Sequence, residues 1–187
     1  MKSITLKASS RNELGKKAAK EIRKGDVVPC VLYGGKENIN FQADQKAFKD
    51  ILFTPVVYIV NVDIDGTVRP AIIKELQFHP VTDALIHADF LEIVDGKPIT
   101  VSIPLQTTGS SIGVREGGKL VIEKRKLILK GLAENIPDVV SVDITSLGVA
   151  RSIKAGDIEI PNVEVMMPKG MPLISVRATR ATATAEE

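Results

Sequence analysis

Apolar and polar positions alternate with a period of two along most of the chain, and the pattern turns helical only in short stretches near the N-terminus. KSITLKA (2–8) alternates well enough to form a first strand. The serine and asparagine of SSRNELGKKAAKEIRKGD then predict a loop that leads into a short helix. On a helical projection Ala18, Ala19 and Ile22 form a narrow apolar arc, and Lys16, Lys20, Arg23 and Lys24 share the opposite side. Gly25 and Asp26 end that helix. VVPCVLYGG (27–35) reads as a strand closing in a Gly34–Gly35 turn, and NINFQA (38–43) as its antiparallel partner. DQKAFKDIL (44–52) is a second short helix with Asp44 as N-cap.

The clearest hairpin spans 56–78, where two β-branched runs flank Asp65–Gly66, a dipeptide favoured in tight hairpin turns. DALIHADFLEI (83–93) follows as a strand, with Asp95–Gly96 as a turn. ITVSIPLQ (99–106) puts Ile99, Val101, Ile103 and Leu105 on one face. A glycine-serine loop (109–118) and strand patterns at 119–131, 138–145, 163–167 and 173–177 complete the chain. The fold class is mainly β with short helices. The basic, helix-bearing part stops near residues 93–98, so two domains are expected, 1–95 and 96–178. The remainder, 179–187, has no apolar periodicity and is expected to be disordered.

Charge sharpens this division. Residues 1–35 carry eight basic and three acidic side chains, a local +5 in a chain whose net charge is +2, which leaves −3 for the rest. Such an asymmetry points to a polyanion-binding surface in the first segment, with an ordinary solvated face as the alternative. The single cysteine, Cys30, excludes an intramolecular disulfide and any multi-cysteine zinc site, in keeping with a reducing cytoplasm. MKSITLKASSRNELGKK holds no apolar run of signal-peptide length, and 18 uninterrupted apolar residues occur nowhere. Neither secretion nor membrane spanning is expected.

Catalytic motifs fail on inspection. Gly113 to Leu120 satisfies the first seven positions of a phosphate-binding loop, but Leu120 stands where a hydroxyl must ligate magnesium. The residues that follow also have a strand pattern instead of a helix, so a flexible hairpin loop is the better reading. A hydrolase needs a nucleophile, a base and an orienting group. His79 and His87 are the two histidines, and no G-x-S-x-G motif is present. No catalytic residue, metal, cofactor or small-molecule substrate is expected.

His87 and Asp89 nonetheless share one strand face, with Ile86, Ala88 and Phe90 on the inward one. They are either two ordinary surface residues or a recognition pair, in which the carboxylate accepts hydrogen bonds from base amino or imino groups. Tyr33, at a strand end beside Gly34–Gly35, is either half-buried packing or a ring and hydroxyl offered to a ribose or base.

Arg11-Asn-Glu-Leu-Gly15-Lys16-Lys-Ala-Ala-Lys-Glu-Ile-Arg23-Lys24 and Val28-Pro29-Cys-Val-Leu-Tyr33-Gly34 resemble the start of ribosomal protein L twenty-five, in its longer general-stress CTC form. His87-Ala-Asp89-Phe90 is similar to that family's His-x-Asp-Phe signature. Gly113 to Gly118, Asn135-Ile136-Pro137 and Val142-Asp143 resemble signatures of the β-rich second domain of the long form. The order and spacing of these stretches are those of the family from about residue 3 to 177. Two details depart from it: the Gly25-Asp26 order, and Cys30 where another small residue is common. The resemblance implies an N-terminal β-barrel carrying helices and a C-terminal β domain. It implies a structural protein of the large ribosomal subunit, cytoplasmic and on the ribosome, that binds 5S rRNA at loop E beside neighbouring subunit components. The implied contacts are Arg11, Arg23, Tyr33, His87 and Asp89, while Lys16, Lys20 and Lys24 rest mainly on the basic helix face. The competing reading is a stress-related protein-interaction β module that does not act on RNA.

Overall fold

The computed structural model describes every residue except Met1, Leu14, Phe53, Pro55 and 180–187. The expectation of disorder over 179–187 therefore lies, Thr179 apart, outside the described residues. The chain divides between Lys97 and Pro98 into two compact units.

In the first unit six strands close into a barrel in the order β1-β3-β2-β6-β5-β4. They are β1 (Lys2–Ser10), β2 (Val27–Tyr33), β3 (Ile39–Asp44), β4 (Tyr58–Ile64), β5 (Thr67–Phe78) and β6 (Leu85–Glu92). Two of the pairings are parallel, β1 with β4 and β2 with β6; the other four are antiparallel. The barrel closes where β1 meets β3 over only two pairs, Ser9 with Gln42 and Ser10 with Phe41. The inward positions Leu6, Val28, Cys30, Leu32, Phe41, Val60, Val62, Ala88 and Phe90 fill the interior, each 2% exposed or less. Phe90 sits centrally, its ring centroid 5.4 Å from that of Phe41 and 6.3 Å from that of Phe48.

Phe48 arrives from a 3-10 turn (Gln45–Phe48) that runs into a single α-turn, α2 (Lys49–Leu52). The Asp44 carboxylate caps this segment by accepting from the Lys46 amide at 2.9 Å. Helix α1 (Lys16–Lys24) packs against β2 through half-buried Ala18, Ala19 and Ile22 and buries no residue fully. The Asp65–Gly66 turn has φ of 49° and 89°, the left-handed pair required by the tight hairpin it closes.

The second unit contains β7 (Ile99–Thr108), α3 (Ile112–Arg115), β8 (Lys119–Ile122), β9 (Lys126–Gly131), β10 (Val140–Asp143), β11 (Ser152–Lys154), β12 (Val163–Val165) and β13 (Pro172–Arg177). Its strands form a four-stranded sheet, β10-β7-β9-β12, and a three-stranded sheet, β11-β13-β8. Ile103, Leu127, Leu129, Leu173, Ile174 and Val176 are buried in its core.

Three local expectations need correction. The apolar run at 119–131 is two strands in different sheets, because the chain bends over 123–125 and the Glu123 and Lys124 amides donate to the Leu173 carbonyl. The 109–118 segment is not a flexible loop, since it contains the helical turn α3. The Ser111 hydroxyl caps that turn and donates to the Leu147 carbonyl at 2.6 Å, with Ser111 itself buried. In β6, Ile86 does not point fully inward. The register with β5 jumps from Gln77↔His87 to Phe78↔Leu85, which leaves Ile86 as a bulge and turns Leu85 into the core.

Phe90→Ala should open a cavity between Phe41 and Phe48 and cost about 3–5 kcal/mol of stability. Denaturant unfolding followed by circular dichroism measures this, and a loss under about 1 kcal/mol would contradict the packing described.

Candidate nucleic-acid interface

Strand alternation and pairing set the outer surface of β2 and β6. Cys30, Leu32, Ala88 and Phe90 point into the barrel, so Val31, Tyr33, His87, Asp89 and Leu91 point out. The parallel register places Val31 beside Asp89 and Tyr33 beside Leu91. On the far side β5 sets Glu75 against Asp89 and Gln77 against His87, and β3 sets Asn40 against Val31. Polar side chains from four strands thus form two adjoining rows on a nearly continuous face.

The bulge at Ile86 and the i, i+2 spacing bring His87 Nδ1 to 2.7 Å from Asp89 Oδ1, and both atoms are shielded from solvent and make no hydrogen bond. The contact takes up one atom of each side chain. Asp89 Oδ2 and His87 Nε2 are the atoms left for a ligand. Tyr33 stands close by. Its phenol is pushed above its ordinary value by burial first, then by the Asp89 and Glu75 carboxylates. Its hydroxyl therefore remains a hydrogen-bond donor throughout the neutral range. The backbone beyond Tyr33 turns through Gly34 at φ 96°, a left-handed conformation that favours glycine where β2 leaves the sheet.

Cations frame this face. Arg23 reaches from α1 to donate through Nε to the Ile86 carbonyl at 3.0 Å, one residue before His87. Arg11 follows β1; its amide donates to the Asn40 carbonyl at 3.0 Å and its Nε to the Glu13 carbonyl at 2.7 Å. The structure therefore brings Arg11, Arg23, Tyr33, His87 and Asp89 to one side of the barrel. Lys16, Lys20 and Lys24 are exposed along α1. They extend the positive surface from the sheet onto the helix. Glu75, Gln77 and Asn40 lay outside the sequence reading, because their place beside His87, Asp89 and Val31 depends on which strands pair.

His87 and Asp89 form a pair closer than the sequence alone led one to expect, but one without the hydrogen bond by which a carboxylate orients a base. No nucleophile completes it. Among the described residues no serine, threonine or cysteine hydrogen-bonds to His87, and the Cys30 thiol lies inside the barrel, donating to the Val28 carbonyl at 3.4 Å. Burial pushes that thiol far up, and Asp89 adds to the shift. Among the described residues no group of three or more His, Cys, Asp or Glu could hold a metal. The 113–118 segment cannot cradle a phosphate either, because the amides of Glu116, Gly117 and Gly118 are used by the Ile112, Val114 and Gly113 carbonyls.

The native protein should accordingly resist thiol reagents at pH 8, with one equivalent released on unfolding. Rapid labelling of the folded chain would show that Cys30 is accessible after all.

Residues 6–90 match the Ribosomal L25p family, and residues 98–180 match the family described as ribosomal protein TL5, C-terminal domain. The chain is 42% identical over 188 residues to the large ribosomal subunit protein bL25 of Phocaeicola vulgatus, covering 97% of this chain and 95% of that one. The protein of that name from Porphyromonas gingivalis is 42% identical over 183 residues with the same coverage, and that of Cytophaga hutchinsonii is 38% identical over 181 residues, covering 97% and 94%. By the match of residues 6–90 and end-to-end similarity to these proteins, the chain belongs to the Ribosomal L25p family of ribosomal proteins.

Proposed function

We propose that this protein is a structural component of the large ribosomal subunit, on the ribosome in the cytoplasm, and that it binds 5S rRNA in the irregular loop E region. The proposal assigns this binding to residues 1–95 and leaves residues 96–178 as a second domain facing neighbouring subunit components. One observation carries it: a carboxylate, an imidazole and a phenol share an outer sheet face framed by Arg11 and Arg23.

RNA helices in the A form conceal base edges in a deep, narrow major groove, so proteins read shallow grooves, distortions and 2′-hydroxyls. A barrel face that is open and shallow suits such a surface. In this scheme Asp89 Oδ2 accepts from base amino or imino groups, which gives specificity. His87 Nε2 and the Tyr33 hydroxyl serve ribose or phosphate oxygens. Arg11, Arg23 and the α1 lysines Lys16, Lys20 and Lys24 neutralise phosphates and supply sequence-independent affinity.

The two roles separate experimentally. Asp89→Ala should weaken binding to loop E by on the order of 1–3 kcal/mol and narrow the preference for 5S rRNA over other RNAs. Lys20→Ala should weaken binding to all RNAs alike and lower the slope of log affinity against log salt by about 1. Filter binding across a salt series reads both quantities. If neither substitution alters the affinity for 5S rRNA, the site is misassigned.

A further inference from the structure

The second unit carries a feature that 5S rRNA binding by the first does not use. Along β9 the side chains of Leu127 and Leu129 are fully buried, so Lys126, Ile128 and Lys130 project from the opposite, solvent-facing side of the four-stranded sheet. At about 3.4 Å per residue the two lysines stand about 14 Å apart along one strand. The neighbouring strand β7 sets Ser102 against Ile128 and Pro104 against Lys126. No carboxylate interrupts the outward positions of β7. Glu164 of β12 lies across from Lys130, and Asp143 of β10, beside Thr108 at the far end of β7, accepts from the Thr145 amide and hydroxyl.

Two more cations lead into this face. Lys124 and Arg125 are exposed, yet their backbone is held at both sides, the Lys124 amide by the Leu173 carbonyl at 3.2 Å and the Arg125 carbonyl by the Leu105 amide at 2.9 Å. Among the described residues none of Lys124, Arg125, Lys126 and Lys130 is in an ion pair. Arg177, on the other sheet, is by contrast neutralised by Glu123 at 2.7 Å. Between the two lysines Ile128 is 39% exposed, and Met166, whose amide donates to the Ile128 carbonyl at 2.9 Å, is 47% exposed. Unpaired cations held on a rigid strand around an apolar centre, with hydroxyl and amide side chains on the adjoining strand, differ from a solvated face of alternating charges. They fit the phosphates and ribose faces of a nucleic-acid backbone.

We infer that the outer face of β7 and β9, with Lys126 and Lys130 as its phosphate contacts, is a second RNA-binding surface that engages large-subunit ribosomal RNA outside the 5S molecule.

The test uses the full chain and two probes, 5S rRNA alone and large-subunit ribosomal RNA freed of 5S rRNA. Lys126→Gln with Lys130→Gln should reduce the slope of log affinity against log salt by about 1.5–2 on the second probe and leave binding to the first unchanged. Lys126→Arg with Lys130→Arg should restore the slope, which separates charge from folding. Wild-type affinity on the 5S-free RNA from the glutamine variant, or no binding to that RNA by the native chain, would overturn the inference. So would an equal loss on both probes. Normal binding to naked RNA together with failure to join subunits would replace RNA with a protein partner. Asp89→Ala, read on 5S rRNA alone, reports the first surface independently.

Discussion

The parallel pairing of β2 with β6 is the constraint on which the candidate interface depends. Neither strand carries a recognition surface alone: β2 offers Tyr33 at its end, and β6 offers His87 and Asp89. Their register sets Cys30 on Ala88 and Leu32 on Phe90 inside the barrel, and the same alternation sets Tyr33 and Val31 beside Leu91 and Asp89 outside. A slip of one residue would put Asp89 into an aliphatic core, at the cost of burying an unpaired charge. The apolar interior therefore selects the register, and the register places the polar exterior.

The bulge at Ile86 adds a second level of control. By turning Leu85 inward and leaving Ile86 out of the ladder, it tightens the local twist just before His87. Arg23 uses the bulged residue's carbonyl as its anchor, so helix and strand are fastened together at the edge of the recognition face. A guanidinium pinned in this way has lost much of its rotamer freedom, which lowers the entropic cost of any further contact it makes. The α1 lysines, which have no such anchor, fit a looser electrostatic role. Helix α1 has only Ala18, Ala19 and Ile22 for packing, so its position rests on β2 and on that anchor.

The two units balance polar and apolar surface differently. The barrel closes its sheet and collects polar side chains on one side, with cations from outside the sheet. The second unit keeps open sheets, and one of them exposes a lysine row around Ile128. Its 113–118 segment, which has the composition of a phosphate-binding loop, spends its amides on its own carbonyls. Gly113 lies so close to the Gly148–Val149 backbone that a Cβ there would be 2.6 Å from both Gly148 C and Val149 N. Glycine at that position serves packing and not ligand approach.

Period-two alternation, the Asp65–Gly66 turn, the Asp44 cap and the narrow apolar arc of α1 are local properties, each set by residues within a few positions of one another. For that reason the strands, the hairpin, both N-terminal helical segments and the shared face of His87 and Asp89 were legible from the amino-acid order. The basic N-terminal segment pointed to a polyanion-binding surface on the same terms, while RNA followed from the family resemblance of stretches such as His87-Ala-Asp89-Phe90. Closure of six strands, the parallel neighbours of β1 and β2, and the placement of Glu75, Gln77 and Asn40 beside the site were not legible, because they follow from contacts between residues distant along the chain. The split of 119–131 into two sheets and the bulge at Ile86 escaped for a related reason. Both resolve a conflict between local alternation and the burial available elsewhere: β8 and β9 each find their own partner strand, and Leu85 finds the barrel interior. Local sequence determined what each segment could become, and tertiary packing decided which segments met, because burying apolar area depends on the partner and not on the segment alone.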